Sequence, residues 1–386
     1  MLTKNLFTFG VATIALGAFA ATPAITGVTA QQRYPWNGKV DISYTVTGDI
    51  AEEAKQKALL ASLQVTAVDM IVNTTNTATQ LSGDLSLADG THAIVWDMNA
   101  EGLTFKSSNV VFNVSCETTP ATYCVIDLSA GANATSYPVT YLAEPPSGGF
   151  NVNEYKTTKL VLRRLEAGTF KMQGSTNVTL TKPFFCGLFE MTQRQYELVA
   201  GANPCSSTKY GKGNTYPVHY VSYNMIRGSS NGAKWPSSSA VDSSSFMGKL
   251  RARTGLDFDL PTEAQWEYAC RAGTTTTYSY GNSANGNYMW YTTNSDFSAH
   301  PVGSKNANSW GFYDMHGNVH EWCLDWHGTL AYGTDPKGSS SGSTRINRGG
   351  SWIDDAVSCT SSHRSSYKPS EDFYHYGFRL VRTLSN

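Results

Sequence analysis

The sequence predicts an all-β module in its N-terminal third, followed by a larger region of short helices set among loops. Two patterns carry this prediction. Before residue 145, apolar and polar residues alternate through several short runs, as they do in half-buried strands. Later in the chain, Thr followed three residues on by Gln marks helix starts, and glycine marks helix ends.

The first 30 residues have the pattern of an export signal. Lys4 precedes an apolar run over 6–21, and small-x-small sites follow at 18–20, 22–24 and 28–30. The run is short for a membrane span, so we predict a signal peptide over 1–30 that is cleaved. We expect no transmembrane span after cleavage, and an exported bacterial protein that is periplasmic, at the cell surface or secreted.

Residues 31–145 predict an antiparallel β-sandwich. Alternating runs lie at 40–46, 63–68, 92–96 and 110–114, and turn-forming residues separate them. A Pro- and Gly-rich stretch then predicts a linker over 146–154.

Three helices are predicted beyond the linker. Thr192 opens a capping box whose helix ends before Gly201, and Thr262 opens another whose helix ends near Ala272, with Gly273 as its cap. Residues 243–254 predict a helix between these two.

The bulk composition favours a folded extracellular protein. Only 15% of the 386 residues are charged and the net charge is -1, which gives no electrostatic reason to expect nucleic acid as a partner. Seven cysteines in an exported chain predict disulfides. A hairpin disulfide between Cys116 and Cys124 is the one local pairing expected, and the pairing of the other five stays open.

Four motifs in a fixed order resemble the formylglycine-generating enzyme (sulfatase-modifying factor) family over about residues 155–386. They are Phe189-Glu190-Met191-Thr192-Gln193 with Tyr196, the stretch 260–269, the stretch 311–322, and Arg348-Gly349-Gly350-Ser351-Trp352 with 377–380. The resemblance implies an α+β fold of the C-type-lectin-like kind. The stretch 90–114 also resembles the immunoglobulin-like modules that often precede this domain.

The resemblance implies a calcium site in the third motif. Asp314 and Glu321 would bind through their side chains, and Gly317 and Val319 through their carbonyl oxygens. Such an all-oxygen set suits a hard cation. The alternative is a hydrogen-bonded loop without metal.

Catalysis is where the sequence departs from the family pattern. The enzymes hold copper(I) with two cysteines near the Arg-Gly-Gly-Ser motif. The second position is Cys359 here, but the first is Asp354, and a carboxylate is a poor copper(I) ligand. Copper is therefore doubtful, Cys359 is expected to be a disulfide partner or buried thiol, and Ser351, which lies beside the substrate cysteine in the enzymes, is expected to bond within its loop.

Two further features of the sequence bear on binding. His316 and His320 have the spacing of a metal pair on a helix, but Gly317 between them argues against a helix, so polar or stacking roles are favoured. The aromatic stretch 367–376 either packs the last strand or stacks on a ligand.

Two functions follow from these observations. The first is an exported binding or accessory domain for a protein, peptide or glycan, without the copper chemistry. The second is a copper-dependent oxidase that converts a sulfatase cysteine to formylglycine. A purely structural envelope protein is a weaker third.

Overall fold

The computed structural model describes residues 24–33, 37–104 and 109–384. The chain divides into two compact units between Ala121 and Thr122, and each unit has an apolar core of its own. Most of the predicted signal segment, up to residue 23, lies outside the described residues. Among the residues that are described, no helix is long and apolar enough to cross a bilayer.

The N-terminal unit consists of two antiparallel sheets. One has the strand order β1-β2-β6-β5 and the other β4-β3-β7. The elements are β1 (Ala24–Gln32), β2 (Lys39–Thr47), α1 (Ile50–Lys57), β3 (Leu59–Asp69), β4 (Thr74–Thr77), β5 (Leu81–Gly83), β6 (Gly90–Asp97) and β7 (Val110–Pro120). Alternate residues of β2, among them Val40 and Ile42, are buried. They share one core with Trp96 of β6, Val65 of β3 and Phe112 of β7.

The boundaries of this unit differ from those predicted. Strand β1 begins at Ala24 and pairs with β2, with Ala30 opposite Ile42. Residues 24–30 therefore belong to a sheet, although the sequence placed them in a signal peptide. This stretch is short and consists mostly of apolar residues and threonine, so in the sequence it resembles the end of an apolar signal peptide.

The second unit starts before the predicted linker. Strands β8 (Tyr123–Asp127) and β9 (Val139–Leu142) belong to its main sheet, so the division of the chain falls at 121 and not at 145. Within the predicted linker, Phe150 is buried, with its ring 4.8 Å from that of Tyr123. This stretch is packed because its aromatic residue covers the sheet.

The rest of the second unit combines short helices, short strands and long loops, as predicted. Its elements are α2 (Glu154–Thr157), β10 (Lys159–Leu165), β11 (Gly168–Met172), β12 (Thr176–Leu180), β13 (Phe184–Gly187), α3 (Gln193–Ala200), α4 (Tyr223–Arg227), a 3-10 turn (Gly232–Lys234), α5 (Phe246–Thr254), α6 (Glu263–Arg271), β14 (His320–Trp326), β15 (Gly333–Thr334), β16 (Arg345–Arg348), a 3-10 turn (Ala356–Cys359), β17 (Ser365–Tyr367), β18 (Tyr376–Gly377) and β19 (Val381–Thr383). The sheets have the orders β19-β13-β10-β8-β9, β11-β12-β15 and β17-β16-β14-β18.

The predicted N-terminal helix caps and the Gly201 cap are present, but Gly273 is not the cap of α6. Both capping boxes form, Thr192 with Gln195 at α3 and Thr262 with Gln265 at α6. Helix α3 ends at Gly201 in the left-handed conformation. Helix α6 ends one residue earlier than predicted, because Ala272 itself adopts that conformation with φ 47°.

The predicted disulfide between Cys116 and Cys124 is wrong. Cys116 lies on β7, opposite Leu63 of β3, whereas Cys124 lies on β8, opposite Leu162 of β10. The two residues thus belong to sheets of different units. All seven cysteines, each in the described part of the chain, are free thiols.

Candidate functional site

The loop after β16 brings together the residues that correspond to the family's copper site. Strand β16 pairs with β14, with Arg348 opposite Glu321, and the chain then turns through two glycines with positive φ. At Gly350 an added Cβ would lie 2.7 Å from Cys359 Sγ. Only glycine permits this approach, which sets the Cys359 turn against the loop that carries Ser351 and Asp354.

Asp354 is bound within the protein by two polar side chains. Ser351 Oγ donates a hydrogen bond of 2.5 Å to Asp354 Oδ2, and His320 Nε2 lies 2.9 Å from the same oxygen. Burial by itself would raise the pKa of Asp354, but His320 and Ser351 outweigh it and lower this pKa to about 2. Asp354 is therefore an ionised carboxylate where the enzymes have a thiol.

Cys359 is a buried, protonated thiol. Burial raises its pKa, and the negative charge of Asp354 raises it further. Copper(I) binds thiolates, so neither of the two positions presents the ligand that the metal requires. The residues present do not fit a copper(I) pair.

His316 and His320 have separate roles. His316 Nδ1 lies 2.7 Å from the Cys359 carbonyl oxygen, and its Nε2 lies 2.9 Å from Ser279 Oγ. Burial lowers the pKa of His316 to about 4, so it is a neutral core histidine. Among the described residues, no group of three or more His, Cys, Asp or Glu side chains could hold a metal ion.

In the predicted calcium loop, Glu321 is bound to an arginine. Arg379 donates to both carboxylate oxygens of Glu321, each at 2.6 Å, and Trp266 Nε1 donates to Oε2 at 2.7 Å. Both charged side chains are fully buried. The guanidinium therefore takes the place beside Glu321 that a cation would need.

Asp314, the other predicted side-chain ligand, is also bonded within the protein, and the backbone at Gly317 and Val319 is held through its amides. Asp314 Oδ2 accepts from the Gly303 amide at 2.7 Å, and burial raises the pKa of Asp314 to about 6. The amides of Gly317 and Val319 donate to Gly349 O and to Glu190 Oε1. As arranged, the Glu321 carboxylate is not free to bind calcium, a cation that takes six to eight oxygen ligands.

Glu190 belongs to the same buried cluster and was not singled out from the sequence. It accepts from Asn318 Nδ2 at 2.6 Å as well as from Val319 N. Burial raises its pKa well above the usual range, and the charges of Asp314 and Glu321 act in the same direction. Its position in the first motif is the only sign of a role in the sequence. The residues that it contacts lie more than a hundred residues further along the chain, so the sequence does not reveal them.

The remaining motif charges hold the scaffold together. Arg348 donates to Glu263 at 2.9 Å and to Glu267 at 2.6 Å, and all three side chains are buried. This ion pair joins α6 to β16 and leaves none of the three available for a ligand.

The aromatic stretch 367–376 divides into an inner and an outer part. Tyr367, Phe373 and Tyr376 pack on one another, with ring centroids 4.8–5.8 Å apart. Tyr374 is half-buried and stacks on Tyr210 with centroids 4.3 Å apart. The packing alternative therefore describes Tyr367, Phe373 and Tyr376, and stacking on a ligand stays a prediction.

The fold and the site define a scaffold of the formylglycine-generating type whose copper positions carry a carboxylate and a buried thiol. Residues 150–384 match the family described as the sulfatase-modifying factor enzyme 1-like domain. Because the match covers more than half of the chain, the protein belongs to this family.

Several relatives show what the chain is similar to. It is 28% identical to the chaperone protein LppX of Paenibacillus barcinonensis, over 57% of this chain and 88% of that protein. It is 35% identical to the formylglycine-generating enzyme of Streptomyces coelicolor, over 32% of this chain but only 46% of the enzyme. Among solved structures, Treponema denticola variable protein 1 matches with a TM-score of 0.50 and 26% identity, over 58% of this chain and 95% of the other.

Proposed function

We propose that the protein is an exported binding or accessory domain that lacks the copper-dependent oxidation of its enzymatic relatives. One observation carries the proposal: Asp354, bonded to His320 and Ser351, stands where the first copper thiolate is needed. The second thiol, Cys359, is buried with a raised pKa. A scaffold that keeps its motifs without this pair suits binding better than oxidation.

A protein, peptide or glycan is the proposed ligand. The half-buried Tyr374 and Tyr210 offer aromatic surface beside polar groups, as ligand-binding sites do. The Paenibacillus relative is named a chaperone, which agrees with an accessory role on another protein. Nucleic acid is not proposed, since the net charge is -1.

The finer architecture belongs to the same proposal. We take the C-terminal unit as C-type-lectin-like and the N-terminal sheets as an immunoglobulin-like spacer. We place the protein in the periplasm, at the cell surface or in the medium after signal cleavage. Since β1 begins at Ala24, cleavage at the 18–20 site would leave β1 whole, and N-terminal sequencing of the exported protein tests this.

For the calcium positions, we propose that Arg379 supplies the positive charge that the loop requires. Its guanidinium lies between the carboxylate of Glu321 and the carbonyl oxygens of Gly187 and Tyr313, each bond at 2.9 Å or less. Calcium would have to displace a buried charge of the same sign to bind Glu321.

A copper-dependent oxidase is the second candidate, favoured by the 35% identity to the Streptomyces enzyme and by the presence of Cys359. The two candidates separate in one assay. The purified protein is incubated with copper(I), oxygen and a Cys-x-Pro-x-Arg peptide, with the Streptomyces enzyme as positive control. We expect no aldehyde by mass spectrometry, and turnover by the protein would refute the binding proposal.

A further inference from the structure

The surface around Asp354 has features that the scaffold does not use. Asp354 is 28% exposed at its side chain. Its Oδ2 binds Ser351 and His320, but its Oδ1 accepts no hydrogen bond from any residue that the structure describes. An ionised carboxylate that has one oxygen without a hydrogen bond, on a partly exposed side chain, is an acceptor for a cation.

Charges of both signs lie in this region: the charge of His320 acts on Asp354 itself, Lys209 lies over Tyr210, and two further acids add negative charge. Asp355 and Asp372 are exposed, and both act electrostatically on side chains of the same region, Cys359 and Tyr220. Burial lowers the pKa of His375 to about 4, with help from the charge of His320. His375 is therefore neutral near pH 7 and does not offset the acids.

Aromatic rings continue from Asp354 across the surface. The His375 ring lies 5.7 Å from His320 and 4.9 Å from Tyr374. Tyr374 in turn stacks on Tyr210 and lies 5.7 Å from the buried Trp352. Ring faces of this kind attract cations through their quadrupole.

One cationic side chain of the protein itself already contacts these rings. Lys209 is exposed, and its Nζ lies 4.9 Å from the centroid of the Tyr210 ring. It shows that an ammonium group is accommodated on these rings. A lysine or arginine of a partner would meet the same rings together with a carboxylate.

Polar atoms without partners surround the same place. His320 Nδ1 and Trp352 Nε1 are buried and make no hydrogen bond to a described residue. Both side chains are more than nine-tenths buried. Native proteins rarely leave such atoms unpaired, so a ligand or the water it holds is expected to satisfy them.

We propose that the surface formed by Asp354, His320, Tyr374 and Tyr210 binds a lysine or arginine side chain of a partner peptide. The cationic head pairs with Asp354 Oδ1 and its apolar stem lies on the tyrosine rings. This inference rests on the proposed binding function and names the chemical class of its ligand.

The experiment uses the full mature chain and a synthetic tetralysine peptide, with its fully side-chain-acetylated form as the uncharged match. Isothermal titration calorimetry at low salt is expected to show binding of tetralysine and not of the acetylated peptide. Asp354→Asn removes one charge while keeping the shape of the side chain, and is expected to weaken binding about tenfold or more. Tyr374→Leu is expected to weaken it about threefold.

Asp355→Asn is the matched control, because it removes the same charge from an exposed neighbour whose side chain makes no cap hydrogen bond. We expect its effect to stay within about twofold. Equal losses in the two aspartate variants, equal binding of the acetylated peptide, or no binding would overturn the inference. Should Asp354→Asn fail to fold by circular dichroism, the half-exposed Tyr374→Leu decides alone.

The outcomes separate this inference from the function on which it rests. Binding of an acetylated peptide or of a chitin oligosaccharide, unaffected by Asp354→Asn, would overturn the cationic ligand and leave a binding domain. Aldehyde formation in the copper assay would overturn the binding function itself.

Discussion

Buried charges decide how the motif residues of this protein act. Glu321 has the donor type of a calcium ligand, but the structure pairs it with Arg379 at 2.6 Å. The residue types were visible in the sequence, but their partners were not. Arg379 lies in a different motif, and nothing local shows that its guanidinium reaches the buried carboxylate.

Removal of Arg379 is predicted to be strongly destabilising. In Arg379→Met the Glu321 carboxylate stays buried, with Trp266 as its remaining donor, and an unpaired buried charge costs about 3–5 kcal/mol. Urea unfolding measures the loss. The control is Arg194→Ala, which breaks an exposed pair with Glu197 and should cost less than about 1 kcal/mol. A similarly small loss of unfolding free energy in both variants would contradict a stabilising role for the buried Arg379–Glu321 pair.

Calcium is predicted to leave the stability of the protein unchanged. Ligands that bind only the folded state raise the melting temperature, so excess calcium or a chelator should shift it by less than about 1 °C. Differential scanning calorimetry measures this shift. A rise with calcium that disappears in Glu321→Gln would instead support the metal site.

His92 is predicted to make the N-terminal unit less stable as the pH rises. Its Nδ1 lies 2.9 Å from Asp84 Oδ2 and its Nε2 lies 2.8 Å from the Ala88 carbonyl oxygen. Two acceptors require the doubly protonated ring, and the hydrogen bond to Asp84 is the main cause of its raised pKa. The stabilisation is complete below the unfolded pKa of about 6.5 and is lost as the pH rises through the raised folded pKa.

Thermal melts at a series of pH values test this prediction. His92→Gln should flatten the decline above about pH 6.5, whereas His327→Gln, at an exposed position of the other unit, should leave it unchanged. A decline of the same size in His92→Gln would remove His92 as its cause.

At the scale of helices and strands, local signals were reliable and distant contacts were not. The capping boxes at Thr192 and Thr262 depend on residues three apart, and both form. Helix α1 was missed, although Asp49 caps it by accepting from Glu52 N, because eight residues carry little periodicity. The Cys116–Cys124 pairing failed because strand partners, which sequence proximity does not reveal, place the two residues in different sheets.

The cap of α6 provides a prediction at this scale. Thr262→Ala removes the acceptor of the Gln265 amide bond at 3.1 Å and should lower the free energy of unfolding by about 1 kcal/mol. Thr208→Ala, in an exposed loop, is the control and should change it by less than about 0.5 kcal/mol. Urea denaturation of both variants measures the two losses of unfolding free energy. Equal losses would show that the capping hydrogen bond of Thr262 does not stabilise the protein.

The whole molecule is two units, and the sequence predicted their order and kinds better than their border. The Pro-Gly stretch after Glu144 suggested a linker on composition. The pairing of β8 with β10, with Val125 opposite Val161, assigns residues 122–145 to the second unit. Amino-acid composition does not reveal such strand pairing.

Two fragments of the chain test this border. Residues 122–386 keep β8 and β9 and should unfold cooperatively by themselves, because their core is complete. Residues 146–386 lack both strands, expose the edge of β10 and should be aggregated or much less stable. Far-ultraviolet circular dichroism during heating distinguishes the two, and equal stability would contradict the border at 121.

Copper(I) binding tests the central claim most directly. Native mass spectrometry of the wild type and of Asp354→Cys, each mixed with one equivalent of copper(I) under reducing conditions, compares the carboxylate with the thiol beside Cys359. The account predicts that the wild type remains metal-free and that the variant, with both soft ligands restored, gains one copper ion. One copper ion on the wild type that is lost in Cys359→Ser would contradict it.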